Sequence, residues 1–220
     1  MLYHQWKYTA KTDETAVIQP DGCRDLIVVS QQGARDEIRV TGWDFQPHVI
    51  HLQAGTELTG YRLRPGTTVA SETFMNDDVS PAILVDMIED VTIGSPEIYE
   101  TIKALTQPGA TVAQVARQNG TTTRTLQRRF RDVALPPPDF WRLLGRARRA
   151  IHALPCRVPL AEVALAYGYS DQAHMTREFV RWFGFSPSQF RKSKVLTNDI
   201  CQPGLGNWLD ESHLKPGSLL

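Results

Sequence analysis

The sequence is short of cysteine and of long apolar runs, and both shortages narrow its class. Only 3 of the 220 residues are cysteines, and Cys23, Cys156 and Cys201 are widely spaced, with neither a CxxC pair nor a Cys/His metal spacing. This pattern is typical of buried or incidental thiols in a reducing compartment. No apolar run is long enough to span a bilayer, and the N-terminus lacks a signal-peptide pattern. We therefore expect a soluble, cytoplasmic protein that makes no membrane contact.

Catalytic motifs are also missing from the sequence. It contains neither a phosphate-cradling glycine loop nor a nucleophilic triad motif. One group of possible metal ligands is present, because His48, His51 and Glu57 lie within ten residues of one another in a β-rich segment. The His-x-x-His spacing nevertheless puts the two imidazoles on opposite faces of one strand, since side chains alternate along it. We expect no enzyme activity, no metal and no cofactor, with a metal-dependent β-barrel enzyme as the alternative.

The net charge of zero conceals an uneven distribution. Residues 1–94 carry 7 Lys and Arg against 14 Asp and Glu, a net charge of −7. Residues 95–194 carry 16 against 7, a net of +9, and residues 195–220 carry 1 against 3, a net of −2. A basic domain joined to an acidic one is typical of a protein that binds the phosphate backbone through one of its parts. A solvated charged surface is the plain alternative.

The acidic segment, residues 1–94, has the pattern of a β-rich domain. Short β-branched runs alternate with Gly or Pro turns. From Pro81 the apolar period becomes helical, and Gly94 is the expected end of that helix. The predicted strands are 25–29, 38–40, 49–52 and 61–64.

The basic segment, residues 95–194, predicts helices throughout. Ser95 followed by Pro96 is a helix start with a cap and a proline at the first helical position. Capping-box spacing recurs at two further starts, and the stretch 139–154 predicts a connecting helix about 25 Å long. The capping-box pairs are Thr111 with Gln114 and Ser186 with Gln189.

Residues 195–220 predict an irregular tail, because prolines and glycines interrupt any period. Trp208 and Leu209 are the residues of this tail that we expect to dock on a domain surface.

Two stretches of the basic segment are near copies of each other, 48 residues apart. Each predicts a short helix, a turn at Gly120 or Gly168, and a second helix. A helix-turn-helix places its second helix in the DNA major groove, so the pair predicts one chain that contacts two neighbouring groove segments. The predicted inner faces are Val112, Val115, Ala116, Leu126, Phe130 and Val133 in the first unit, and Leu160, Val163, Ala164, Met175, Phe179 and Trp182 in the second.

The outward faces of the two second helices hold the candidate DNA contacts. Arg and Gln side chains pair in bidentate fashion with guanine and adenine edges, whereas Arg129 and Arg131 are expected at phosphates. Asp171 is expected to cap the second of these helices. His174 is a candidate contact to a phosphate or a base edge, and the alternative is that it is a surface histidine without such a role. The candidates are Arg124, Gln127, Arg128 and Arg131 in the first unit, and Gln172, Ala173, His174, Thr176 and Arg177 in the second.

The two units are not identical in spacing or chemistry. One residue more separates Gly168 from Met175 than separates Gly120 from Leu126. We therefore expect the two recognition helices to start differently. The first outward face is also richer in arginine. The expected target is an asymmetric pair of groove segments.

At these residues the chain resembles the AraC family of bacterial transcription regulators. The resemblance is carried by 168–179 (GYSDQAHMTREF), 184–191 (GFSPSQFR), 124–130 (RTLQRRF) and 146–150 (RARRA). It covers about 95–193 and implies a seven-helix domain with two reading heads, DNA bending where both engage, and action as an activator or repressor, with RNA polymerase as a partner. One departure is 135–138 (LPPP), where the family usually has a glycine before its Ser/Pro helix start. We expect the join after the first unit to differ slightly.

The acidic segment resembles a poorly characterised β-rich domain that is often found ahead of AraC-type modules, through residues 20–28 and 60–66. In this family the second domain commonly senses a small molecule or forms a dimer, so a small-molecule effector and a homodimer are candidate partners. Arg24, Arg62 and Tyr61 are the candidate ligand contacts. Arginines bridged to acids and a tyrosine packed in the core are the alternatives.

Together these patterns predict an α+β chain, with a β-rich N-terminal domain followed by an all-α domain of two helix-turn-helix units. The predicted function is sequence-specific binding of double-stranded DNA and regulation of transcription. A protein-binding adaptor is a further alternative, and the arginine-rich recognition face argues against it.

Overall fold

The computed structural model describes residues 2–70, 81–155, 158–193 and 202–208. A strand-rich region comes first and helices follow, which confirms the α+β prediction. The strands are β1 (Tyr3–Thr9), β2 (Glu14–Ile18), β3 (Asp25–Ser30), β4 (Glu37–Val40), β5 (His48–Leu52), β6 (Glu57–Leu63), β7 (Thr68–Val69) and β8 (Thr92–Ile93). The helices are α1 (Pro81–Val91), α2 (Pro96–Leu105), α3 (Val112–Gln118), α4 (Thr123–Asp132), α5 (Pro138–Ala153), α6 (Leu160–Ala166), α7 (Gln172–Phe183) and α8 (Pro187–Lys192).

The main sheet is antiparallel, with the strand order β1-β6-β3-β4. Strand β6, one of its two central strands, contains Gly60, and a Cβ atom there would overlap the indole ring of Trp6 on β1. Glycine therefore lets the two strands and the tryptophan pack closely. Strands β2 and β5 form a separate antiparallel pair, in which Val17 lies opposite Val49. The remaining pair is β7 with β8.

Helix α1 covers the main sheet and completes the N-terminal core. Leu84 and Ile88 are fully buried there, against side chains of β3 and β6 such as Leu26 and Leu63. The prediction that this helix ends at Gly94 is wrong, because the helix ends at Val91. The two residues that follow form β8 and pair with β7, so the chain needs an extended backbone before it reaches Gly94.

All four predicted strands are present, each within one to four residues of its predicted ends. The sequence did not predict β1, β2, β7 and β8. Most residues of β1 and β2 are exposed or half-buried, so their polar side chains obscure the alternation that marks a strand. Strands β7 and β8 are two residues long and form only because they meet each other.

The helical region confirms the predicted helix starts. Ser95 accepts the backbone N–H of Ile98, and Pro96 is the first helical residue. Both capping boxes are present, at the starts of α3 and α8. Helix α5 covers 16 residues, or about 24 Å. In the described part of residues 95–193, α2 to α8 are the seven helices that the resemblance implied.

Helix α5 lies at the centre of the helical core. Trp141, Leu144, Ala147, Ala150 and Ile151 on this helix are all fully buried. The core also includes two residues from outside the helical region: the partly buried Trp43 from the N-terminal region and the buried Leu205 from the tail. None of the helices in the described part of the chain is long and apolar enough to cross a membrane.

Candidate nucleic-acid interface

The first helix-turn-helix unit consists of α3 and α4, joined by a turn at Gly120. This glycine has a φ of 62°, a conformation that favours glycine. The turn is closed by two bonds back to α3, from the N–H of Gly120 to the carbonyl of Arg117 and from the N–H of Thr121 to that of Ala116. Thr122 then caps α4 by accepting the N–H of Thr125. These local bonds fix the angle between the two helices.

The second unit, α6 and α7, repeats this construction. Gly168 has a φ of 74°, and the N–H of Tyr169 bonds the carbonyl of Ala164 over 2.9 Å. Asp171 is the N-cap of α7, as predicted, and accepts the N–H of His174 over 2.6 Å. This hydrogen bond is the main cause that holds the pKa of Asp171 below its usual value.

The inner faces of both units lie in the core, with two exceptions. The first is Val133, which was expected on the inner face of the first unit and is 42% exposed. Val133 is the C-cap of α4, so the chain has already begun to turn away from the core there. In the second unit Leu160 is half-buried and packs against the core rather than within it. The other predicted inner residues are buried.

The extra residue of the second unit lies in its turn and not in its helix. The cap of α4, Thr122, is two residues after Gly120, whereas the cap of α7, Asp171, is three after Gly168. From the cap onward the two helices have the same phase, since the first buried residue comes four positions later in each. The pairs that occupy equivalent positions are Arg124 with Ala173, Gln127 with Thr176, Arg128 with Arg177, and Arg129 with Glu178.

The outward face of α4 is exposed and strongly basic. Arg124, Gln127, Arg128 and Arg131 are all exposed, and within the described part of the chain none of their side chains forms a hydrogen bond or ion pair. Arg129 differs, because its guanidinium lies 3.0 Å from a carboxylate oxygen of Glu97 on α2. Four arginines against one aspartate give α4 a net charge of +3.

The outward face of α7 offers fewer free groups. His174 is half-buried, and its Nδ1 lies 3.2 Å from the N–H of Ser170 while its Nε2 lies 3.6 Å from Glu178. The hydroxyl of Thr176 donates to the carbonyl of Gln172. The exposed candidates are therefore Gln172, Ala173 and Arg177. Two arginines against one glutamate give this helix a net charge of +1, with histidine neutral.

A cluster around Arg146 on α5 holds the second unit in place. Its guanidinium donates to Glu178 on α7 over 2.7 Å and to the carbonyl of Gly168 in the turn over 3.0 Å. It also lies 4.4 Å from the centroid of the Tyr169 ring, and burial together with Glu178 raises the pKa of that tyrosine. Local sequence patterns do not reveal this cluster, because its members lie 22 to 32 residues from Arg146.

The three candidate ligand residues of the N-terminal region are already engaged. Arg24 donates to the carbonyl of Thr41 over 2.7 Å. Arg62 pairs with Asp25 and Asp21, each over 3.1 Å. Burial lowers the pKa of Arg62, but these two carboxylates outweigh it and raise the pKa overall. Tyr61 is buried in the N-terminal core.

The residues of the alternative metal site are not brought together. His48 and His51 lie on β5, in the two-stranded sheet, whereas Glu57 begins β6 in the main sheet. His48 instead lies 3.2 Å from the carboxylate of Asp44. Within the described ranges, no group of three or more His, Cys, Asp or Glu side chains is arranged to hold a metal ion. Cys23 is buried there as a free thiol, while Cys156 and Cys201 lie outside those ranges.

Residues 115–193 match a protein-family model described as a helix-turn-helix domain. Over 77 residues the chain is 35% identical to the HTH-type transcriptional regulator VirS of Mycobacterium tuberculosis. The matched stretch covers 35% of this chain and 23% of VirS. Over 93 residues it is 30% identical to the virulence regulon transcriptional activator VirF of Yersinia enterocolitica, covering 40% of this chain and 33% of VirF. The chain thus spans a third or less of each of these relatives.

Among solved structures, the chain is similar to the C-terminal domain of AraT, a response regulator from Geobacillus stearothermophilus. The identity is 22% and the TM-score 0.41, over 44% of this chain and 85% of that chain. The family match begins within α3 and ends just after α8, so it contains both recognition helices. Residues 115–193 therefore form a helix-turn-helix domain of the AraC type.

Proposed function

We propose that this chain binds double-stranded DNA in a sequence-specific manner and regulates transcription, with α4 and α7 in neighbouring segments of the major groove. The observation that carries the proposal is the outward face of α4. Arg124, Gln127 and Arg128 point away from the core, are exposed, and have no partner in the described part of the chain. Arg and Gln are the side chains that contact guanine and adenine edges, and such a row on a recognition helix fits that role.

The two helices contribute unequally in this proposal. Helix α4, with a net charge of +3, supplies more of the attraction to phosphates than α7, with +1. Arg131 lies near the C-terminal end of α4 and is proposed to contact a phosphate. In the second unit Gln172, Ala173 and Arg177 are the proposed groove contacts. His174 and Thr176 lie on the same helix, and DNA would have to compete there with their internal hydrogen bonds.

The relatives' names extend this proposal to regulation. VirS is named a transcriptional regulator and VirF a transcriptional activator. We propose RNA polymerase as a partner and a cytoplasmic location. We further propose that the N-terminal region either forms a homodimer or binds a small-molecule effector. Arg62 is a weak candidate for an anionic effector, because two carboxylates already neutralise it.

The test is selection of bound sequences from random duplex DNA by the full chain. Against a selected site, Arg128→Ala and Arg177→Ala should each weaken binding by about 1–3 kcal/mol if a bidentate base contact is lost. Arg39→Ala is the charge-matched control, since Arg39 is an exposed arginine on β4 that pairs with Glu37. Equal binding by all four proteins would show that these faces do not contact DNA.

A salt series separates this function from that of a protein-binding adaptor. Phosphate contacts make affinity fall steeply as salt rises, by roughly 0.9 in the logarithmic slope for each phosphate. Flat salt dependence together with no enriched sequence would favour the adaptor. A single half-site or a symmetric pair in the selected DNA would also report whether the chain binds as a dimer.

A further inference from the structure

The C-terminal segment 202–208, called here the clip, lies between the N-terminal region and the connecting helix α5. Its Leu205 and Trp208 are 2% and 1% exposed, so they are buried as completely as residues of the core. The prediction that Trp208 docks on a domain surface is confirmed, whereas Leu209 lies outside the described residues. Burial of this kind is unusual for an irregular tail and indicates that the clip occupies a specific site.

On the N-terminal side, the clip contacts the turn before β3. The N–H of Leu205 donates to the carbonyl of Asp21 over 2.8 Å. Arg62, held by Asp21 and Asp25, donates to the carbonyl of Pro203 over 3.2 Å. The side chain of Leu205 lies directly on Gly22, where an added Cβ atom would come within 2.8 Å of it.

On the helical side, the clip satisfies a buried arginine of α5. Arg148 is only 2% exposed, and its guanidinium donates to the carbonyls of Leu205 and Gln202, each over 3.0 Å. It also donates to the side-chain oxygen of Asn207 over 3.1 Å. A buried guanidinium is costly unless its N–H groups have acceptors, so these contacts stabilise the docked clip.

We infer that the N-terminal region and α5 together form a peptide-binding cleft, that its ligand is the chain's own clip, and that the docked clip fastens the two regions to each other. The cleft recognises a peptide chiefly through its carbonyl oxygens, which accept N–H groups from Arg62 on one side and from Arg148 on the other. Glycine is required at the narrowest point. A Cβ atom on Gly204 would lie 2.7 Å from Nη2 of Arg148 and 3.0 Å from the Asp21 carbonyl.

The test is hydrogen exchange of the full chain, followed by mass spectrometry. In the parent protein we expect slow exchange in 202–208 and in the turn at 21–25. Gly204→Val places a branched side chain against Arg148 and Asp21, so both stretches should lose protection while α3, α4, α6 and α7 keep theirs. Gln202→Ala is the matched control, because only the backbone carbonyl of this exposed residue is used.

Solution scattering by the same proteins tests whether the clip fastens the two regions. The radius of gyration should rise for Gly204→Val and stay unchanged for Gln202→Ala. Asn207→Ala removes one acceptor of Arg148 from the clip and should show the same changes, to a smaller extent. Rapid exchange of the clip in the parent, or full protection in Gly204→Val, would overturn the cleft. A released clip with an unchanged radius of gyration would overturn the fastening.

Discussion

At the scale of single residues, the turn after α4 contains an alanine in a conformation that favours glycine. Ala134 has a φ of 54° and is the one non-glycine residue of the described ranges in the left-handed region. Two hydrogen bonds hold it there, from the N–H of Ala134 to the carbonyl of Arg131 and from the N–H of Leu135 to that of Phe130. Gly120 and Gly168 occupy the same place after α3 and α6. Alanine thus adopts here the conformation that glycine adopts in the other two turns.

Ala134→Gly should stabilise the protein. The left-handed conformation costs an L-residue about 1–2 kcal/mol, and part of that gain is offset by the greater freedom of glycine in the unfolded chain. A net gain of about 0.5–1 kcal/mol is expected, measured by denaturant unfolding. Gly120→Ala is the control, because it makes the reverse substitution in the equivalent turn. Gly120 has a φ of 62°, and no atom of the described residues lies near the added Cβ. It should lose a similar amount, and a gain there would contradict the argument.

The N-cap of α7 should make the stability of the protein depend on pH in the acid range. Asp171 accepts the N–H of His174, and this bond lowers the pKa of Asp171 below its ordinary 3.8. A lowered pKa means that the stabilisation is complete above the unfolded value and is lost as the pH falls through the folded value. Asp171→Asn keeps an acceptor but does not titrate. The advantage of the parent in thermal unfolding should therefore shrink between about pH 5 and pH 2, and a constant difference would contradict it.

At the scale of elements, the two recognition helices are held by different means. The first is tied to α2 by the exposed pair of Arg129 and Glu97, and such pairs contribute little to stability. The second is tied to α5 by the largely buried pair of Arg146 and Glu178, which also reaches the turn. The equivalent positions Arg129 and Glu178 thus carry opposite charges and bind partners on different helices. We expect the second unit to be the more rigidly placed.

Arg146→Met should therefore destabilise the protein by about 1–3 kcal/mol, because it leaves Glu178 enclosed without its charged donor. Arg142→Met is the matched control, one turn earlier on the same helix, where the arginine pairs with the nearby and exposed Asp139. Its cost should be roughly 0–1 kcal/mol. Thermal unfolding measures both. DNA binding adds a second readout, since Arg146→Met should relax sequence preference in the segment bound by α7 alone. Equal effects of the two variants would exclude the positioning role.

Local patterns predicted the helical region well, and distance along the chain explains what they missed. The cap at Ser95 and the box at Thr111 depend on residues three positions away, so sequence reveals them directly. The partner of Arg129 lies 32 residues away, and the carbonyl that Arg62 reaches lies 141 residues away. No periodicity encodes such pairs. The candidate faces of α4 and α7 were therefore predictable, while the free or occupied state of each side chain was not.

At the scale of the whole molecule, the N-terminal region packs directly on the helices. Trp43 meets Trp141 of α5 with ring centroids 5.3 Å apart, and Phe45 meets Phe140 at 4.9 Å. The guanidinium of Arg64 lies 4.1 Å from the centroid of the Tyr99 ring on α2. The division into domains at 1–94 and 95–194, with a tail at 195–220, remains a proposal. These contacts indicate that the parts unfold together.

The full chain should accordingly show one calorimetric transition, with a calorimetric enthalpy equal to the van 't Hoff enthalpy. Trp43→Ala removes the indole that packs against Trp141 and should cost about 2 kcal/mol, less than a fully buried tryptophan. Because that contact joins the two regions, the variant should also separate their unfolding. The calorimetric enthalpy should then exceed the van 't Hoff enthalpy. Tyr8→Ala is the matched control, since Tyr8 is an exposed aromatic residue of β1 whose hydroxyl donates to Glu14 within the N-terminal region. It should lower stability while keeping a single transition, and a single transition in Trp43→Ala as well would show that the aromatic contact does not couple the regions.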